Sequence, residues 1–189
     1  NVLALLATYV YDIQAWAQND AANAGLIKAQ LIAESGPLIM HLEHAVFGKT
    51  RGLSAATSFA SSTLNAYRCS VVHLENCETA PSYVAAQLGA IRSVYVGDNP
   101  NTRYNDIVCP TIPPQSQKAD IPLLSELNTA LNNGVTPLTT LPDGTVKIVR
   151  AIQSHCLNGS APDYRALDWG DVDVPDRMAK ELGAQWDVV

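Results

Sequence analysis

The sequence predicts an α/β fold: a three-layer-like core in which a mostly parallel sheet is flanked by helices, followed by a β-hairpin. Apolar, β-branched runs alternate three times with helical stretches, and parallel neighbours need crossover helices of that kind. Farther along, Val135 to Leu141 and Thr145 to Ile152 face each other across Pro142-Asp143-Gly144. With 47% apolar and 16% charged residues among 189, the chain can bury a core in one domain, or in one domain plus a piece of another.

Each element has its own reason. Thr8 to Trp16 is aromatic and β-branched, which favours a strand. Asn19-Asp20 offers an N-cap, Ala24, Ile27 and Leu31 fall at helical spacing, and Gly36-Pro37 ends the segment. Ala45 to Gly48 is a short strand. Leu53 to Leu64 is rich in small residues and reads as a closely packed helix. Cys69 to Leu74 reads as a buried strand. Thr79-Ala80-Pro81 starts a helix with Val84, Leu88 and Ile91 on one face. Val94 to Pro114, rich in Asn, Asp and Pro, reads as a long loop. Asp120-Ile121-Pro122 then opens a helix with Ile121, Leu124, Leu127 and Leu131 on one side, closed by Asn132-Asn133-Gly134. In the hairpin turn Pro142 fixes φ, Asp143 tolerates the second position, and Gly144 takes φ > 0.

Composition narrows the function classes. A net charge of −6 without a basic stripe argues against a nucleic-acid partner. Val2 to Leu6 lacks a basic leading region, and the apolar run reaches Asp12 too soon to span a bilayer. Cys69, Cys77, Cys109 and Cys156 include no Cys-x-x-Cys pair, which argues against zinc and for reduced thiols, with Cys69 buried. The start at Asn1 and the stop within an amphipathic pattern at Trp186-Asp187-Val188-Val189 read as an interior fragment of a longer protein. A processed mature chain is the alternative.

The motifs that could carry chemistry are weak. Gly48-Lys49-Thr50 matches the end of a phosphate-binding loop, but the glycine required five positions earlier is Glu43. His41 and His44 are three apart without a third metal ligand in pattern. His73 could serve as a general base, yet no Gly-x-Ser-x-Gly elbow accompanies it, and a hydrogen-bonded core histidine is the plainer reading. Asp168, Asp171, Asp173 and Asp176 surround Trp169 without the Gly and Glu of a calcium loop. Two readings of this cluster stay open: Asp173 caps a helix with Asp176 in its first turn, or the four form an acidic inter-subunit face. Asn158-Gly159-Ser160 reads as a turn.

Three segments carry a resemblance. Leu131-Asn132-Asn133-Gly134-Val135, Asp143-Gly144-Thr145-Val146-Lys147-Ile148-Val149-Arg150-Ala151-Ile152 and Pro162-Asp163-Tyr164-Arg165-Ala166-Leu167-Asp168 occur in the order and form found in tail sheath proteins of contractile-tailed bacteriophages. Upstream, Gly48 to Gly52 and Cys69 to Val72 sit where that family has strand, loop and strand. The chain thus resembles a sheath subunit without its terminal arms.

The resemblance implies a subtilisin-like α/β core over residues 1–135 and the beginning of a C-terminal α+β domain over 136–189. It implies a structural subunit, not an enzyme, that polymerises around the tail tube and contracts to drive it through the host envelope. No cofactor, catalytic residue or metal is expected. The implied partners are further copies of the subunit, the tail tube protein and the baseplate, with no nucleic acid and no membrane. The implied setting is the phage tail of the virion, or the host cytoplasm during assembly, and the fragment alone is expected to be monomeric. A small α/β hydrolase-like enzyme is the alternative, distinguished by a deep pocket with convergent polar groups.

Overall fold

The computed structural model describes residues 12–36 and 39–186. A five-stranded sheet runs in the order β1-β2-β3-β4-β5, formed by Ile13–Trp16, His44–Lys49, Cys69–His73, Val135–Thr140 and Val146–Ile148. The first four strands are parallel, with Ile13 opposite His44, Ala45 opposite Cys69 and Val71 opposite Val135. β5 returns antiparallel, Leu138 facing Ile148. β4 therefore serves twice, as a parallel neighbour of β3 and as the first strand of the predicted hairpin. The boundary drawn at 135/136 falls inside this strand.

Alternation along the central strands assigns the two faces. Ala45 and Phe47 of β2, with Cys69 and Val71 of β3, bury against Ala24, Ile27 and Leu31 of α1 (Ala21–Glu34) and Phe59 and Leu64 beyond α2 (Leu53–Ser58). Val46 and Val72 point the other way, onto Val84, Ala85 and Leu88 of α3 (Pro81–Asp98) and onto Trp169, first residue of α5 (Trp169–Trp186). α4 (Leu124–Asn132) joins the α1 side through Ala130. Three layers result.

Local chemistry explains the joints. Asp20 caps α1 by accepting from Asn23 N at 2.9 Å. A Cβ at Gly48 would lie 1.9 Å from the Pro81 carbonyl oxygen, so only glycine lets α3 begin against β2. α2 widens into a π-turn, Phe59–Leu64, ended by Asn65 at φ +38. The Asn65 amide then accepts from Cys156 N and Leu157 N at 3.0 and 3.1 Å, pinning a distant loop. In the hairpin turn Gly144 has φ +85 and Leu141 N donates to Thr145 O at 2.8 Å. The outer edge of β5 is covered by the 106–109 segment, where Cys109 N donates to Val146 O at 2.8 Å.

Several expectations need correction. α3 continues to Asp98, so Val94 to Asp98 is helix, held by the edge-to-face contact of Tyr95 with Tyr104. α4 starts at Leu124, because Pro122 holds Ile121 extended and Glu126 caps from within by accepting from Leu123 N at 2.8 Å. Its expected apolar face is only part-covered: Leu127 and Leu131 are half-buried, Leu124 is 74% exposed, and Ala130 is its buried residue. The segment from Pro162 to Asp168, whose sequence reads as opening a helical stretch, begins instead in a small hairpin, β6 (Leu157–Asn158) with β7 (Ala161–Pro162), turned by Gly159 at φ +64. Thr8 to Tyr11, Val2 to Leu6, Pro37 and Asp187 to Val189 lie outside the described residues. All four cysteines are buried and free.

Candidate functional site

The densest chemistry lies where α5 meets the sheet. Arg92 continues the Val84–Ala85–Leu88 stripe of α3 one turn on and is fully buried. Its guanidinium spans Asp173 of α5, with Nη2 2.6 Å from Oδ1 and Nε 3.3 Å from Oδ2. The remaining donors reach Ser70 Oγ on β3 at 3.3 Å and His44 Nδ1 on β2 at 3.0 Å. Tyr104 donates to Asp173 Oδ2 at 3.0 Å, and Trp169 packs its ring under the Arg92 guanidinium at 4.8 Å.

One turn farther along α5, Asp176 accepts from both Arg68 nitrogens at 2.7 and 2.9 Å, and from His44 Nε2 at 2.9 Å. Burial works to raise the Asp176 carboxyl, but the His44 and Arg68 hydrogen bonds win and lower it to about 2. Burial, then the nearby Arg92 charge, lower His44 to about 4. Burial, reinforced by Asp173, pushes the Tyr104 phenol well above its usual range. An isolated charge in this layer would cost several kcal/mol (about), so the pairing is what makes the burial tolerable. The arrangement can hold α5 to the sheet; nothing in it resembles a nucleophile with a base.

The four aspartates are thus split. Asp173 is not a helix cap: α5 begins at Trp169, and both Asp173 and Pro175 lie inside the helix. Asp171 does the capping, accepting from Asp168 N at 3.1 Å. Asp168 takes a two-pronged contact from Arg150 at 2.7 and 2.9 Å, both side chains being about two-fifths exposed. Asp168 and Asp171 line an open hollow of about 720 Å³ with Arg103 and Tyr104. Pro142, Asp143 and Gly144 form the expected turn, Asp143 accepting from Thr145 N at 2.9 Å, a bond that lowers its carboxyl.

The other sequence candidates are engaged structurally. Lys49 donates to the Asn19 carbonyl at 2.8 Å and stacks over Phe59 at 4.0 Å. His41 and His44 do not share a helix face, since His44 opens β2. Among the described residues no group of three His, Cys, Asp or Glu is placed to hold a metal ion. Burial lowers His73, and its Nε2 bonds Glu75 at 3.1 Å while Glu75 caps α2 through Gly52 N and Leu53 N, each 3.0 Å away. The adjoining cavity of about 250 Å³ is walled by Leu53, His73, Glu75, Asp120, Glu126 and Pro137, and no described serine, threonine or cysteine lines it. The hydrolase alternative lacks its nucleophile there.

The fold as a whole matches solved structures. One is a sheath tail protein from Desulfitobacterium hafniense, at TM-score 0.71 and 11% identity over 98% of this chain and 41% of that one. The chain has a tail sheath fold. A sheath tail protein from Listeria innocua matches at TM-score 0.66 and 11% identity, over 97% of this chain and 42% of that one. A chain of the anti-feeding prophage baseplate matches at TM-score 0.61 and 12% identity, over 95% and 48%. This chain spans less than half the length of each of these proteins. No family model matches the sequence, and no curated protein matches it. At such identities the likeness is one of fold, carried by the layer arrangement and not by shared side chains.

The sequence reading missed Arg92, Tyr104, Arg68 and the role of His44. One signal was present: Arg92 stands at helical spacing from Leu88 on an otherwise apolar stripe, and a charge there needs a buried partner.

Proposed function

We propose that the chain is a structural subunit of a contractile tail sheath. In this reading its α/β core, of subtilisin-like topology, stacks with further copies around a tail tube above a baseplate. Contraction of that assembly drives the tube through the host envelope, and the setting is a phage tail or a related contractile injection device. The observation that carries the proposal is the match along 98% of the chain to a sheath tail protein. The geometry of α5 is consistent with it. Its ion pairs with the sheet layer are buried, whereas an exposed pair contributes only about 0–1 kcal/mol. We assign residues 136–189 to the opening of a second domain that shares β4 with the first.

Subunits of a sheath meet through repeating heterologous contacts that do not close. In this reading the more exposed members of the acidic cluster, Asp168 and Asp171, would meet a basic neighbour in such a lattice, while Asp173 and Asp176 face inward. The test is sedimentation of this chain beside a version extended by the sequence that flanks it in its gene. Concentration-dependent pelleting of the extended version supports the proposal. Monomers from both, at any concentration, argue against it.

A further inference from the structure

The C-terminal end of β2 opens into a hollow of about 470 Å³, lined by Asn19, Lys49, Thr50, Arg51 and the 77–81 segment that leads into α3. Open α/β sheets hold their ligands at this end of the strands. Gly48 brings the start of the 18-residue helix α3 to the wall, since a Cβ there would lie 1.9 Å from the Pro81 carbonyl oxygen. α3 begins without a side-chain cap: its N-cap residue is Ala80, and Pro81 follows. The positive end of its dipole therefore stands at the hollow with no acceptor of its own.

The side chains around it point to the same kind of ligand. Thr50 is only 7% exposed, yet among the described residues its hydroxyl has no hydrogen-bond partner. The side-chain amide of Asn19 makes no hydrogen bond either, and its Oδ1 is buried. Buried polar groups are normally met, and here the hollow is where a partner can enter. Lys49 and Arg51 supply two cations. Lys49 donates to the Asn19 carbonyl, and burial lowers its ammonium, opposed by the charge of Asp20. Arg51 is exposed and has no ion pair among the described residues. Glu78 is the carboxylate of the lining; it is exposed and accepts from Ser116 Oγ at 2.8 Å, so two cations stand against one anion.

We propose that this hollow is a binding site for a phosphate group, held by Lys49, Arg51, the Thr50 hydroxyl and the N-terminal amides of α3. Lys49 and Arg51 neutralise its charge, and the hydroxyl and the amides donate to its oxygens. Gly48-Lys49-Thr50 thus works with a helix from farther along the chain, where a phosphate-binding loop works with the helix directly after it. Glu43, in place of that loop's first glycine, does not bear on the site, because α3 supplies the amides. The hollow is larger than a phosphate ion, so the group can be free or carried on a larger molecule. The site does not depend on the sheath reading.

The test is titration of the nitrogen-15-labelled chain with inorganic phosphate at neutral pH and constant ionic strength. The amide signals of Thr50, Arg51 and Ser82 should shift and saturate together, while that of Arg103, exposed beside a different hollow, stays in place. Arg51→Ala should weaken binding about tenfold and Thr50→Val about two- to tenfold, through loss of a charge-assisted and of a single hydrogen bond. Arg103→Ala should bind as wild type does. A nucleoside monophosphate as second probe names the source: tighter binding assigns a phosphate carried on a larger molecule, and equal or weaker binding assigns the free ion. Shifts that spread over basic residues across the surface, that never saturate, or that are unchanged in Arg51→Ala would each overturn the site. Should Thr50→Val not fold, Arg51→Ala decides, because the exposed Arg51 side chain holds no other described residue in place.

Discussion

Replacing Arg92 by Met should be the most damaging single change on the sheet face that carries α5. The substitution keeps much of the volume but removes the charge opposite Asp173, which is 1% exposed and would retain the Tyr104 hydroxyl, with His44 Nε2 3.7 Å away. It also removes the donors to Ser70 and His44. Breaking a buried pair from one side costs about 3–5 kcal/mol, because the orphaned charge stays in the low-dielectric layer. At about 2–4 °C per kcal/mol for a chain of this size, Tm should drop by roughly 6–20 °C. Urea denaturation of Arg92→Met, Asp173→Leu and the double variant completes the cycle. The double variant should recover much of the loss, with a coupling of about 2 kcal/mol or more, because no uncompensated charge remains. A loss below about 1 kcal/mol for Arg92→Met, the range of solvent-screened pairs, would refute the buried-pair reasoning. So would single losses that simply add.

Other expectations are smaller in scope. Gly48→Ala places a methyl 1.9 Å from the Pro81 carbonyl and should cost at least about 2 kcal/mol in urea melts, whereas Gly25→Ala, with open space around it in α1, should stabilise by about 0.5–1 kcal/mol. Thiol titration with a chromogenic disulfide should find no reactive cysteine in the native chain and four after denaturation, since all are buried and burial pushes Cys69 and Cys109 up to about 12. Asp168→Asn should change stability by less than about 1 kcal/mol, its pair with Arg150 being part-exposed. If this face meets a neighbour, the same variant in the extended chain should weaken pelleting in a salt-dependent way.

Much of the fold was legible because its signals are local. Asp20 as a cap, Gly134 at φ +73 behind Asn132-Asn133, and the Pro142-Asp143-Gly144 turn depend on neighbours in sequence. The buried strands Cys69–His73 and His44–Lys49 announce themselves as short apolar runs. What escaped depends on distance. Val94 to Asp98 lacks strong helix formers and is helical through packing on Tyr104. Reading Asp173 as an N-cap, one of the two readings of the acidic cluster, would start α5 five residues too late, since Asp173 lies inside the helix as a core ion. The Arg92–Asp173 pair is 81 residues apart, and His44–Asp176 is 132 apart, so neither could be paired from spacing.

The most direct test of the sheath account is negative-stain microscopy of the chain extended by its flanking gene sequence, beside the chain itself at equal concentration. Hollow, transversely striated tubes from the extended version, and discrete particles from the chain alone, are the predicted result. Discrete particles from both, under conditions in which each is folded, would contradict it.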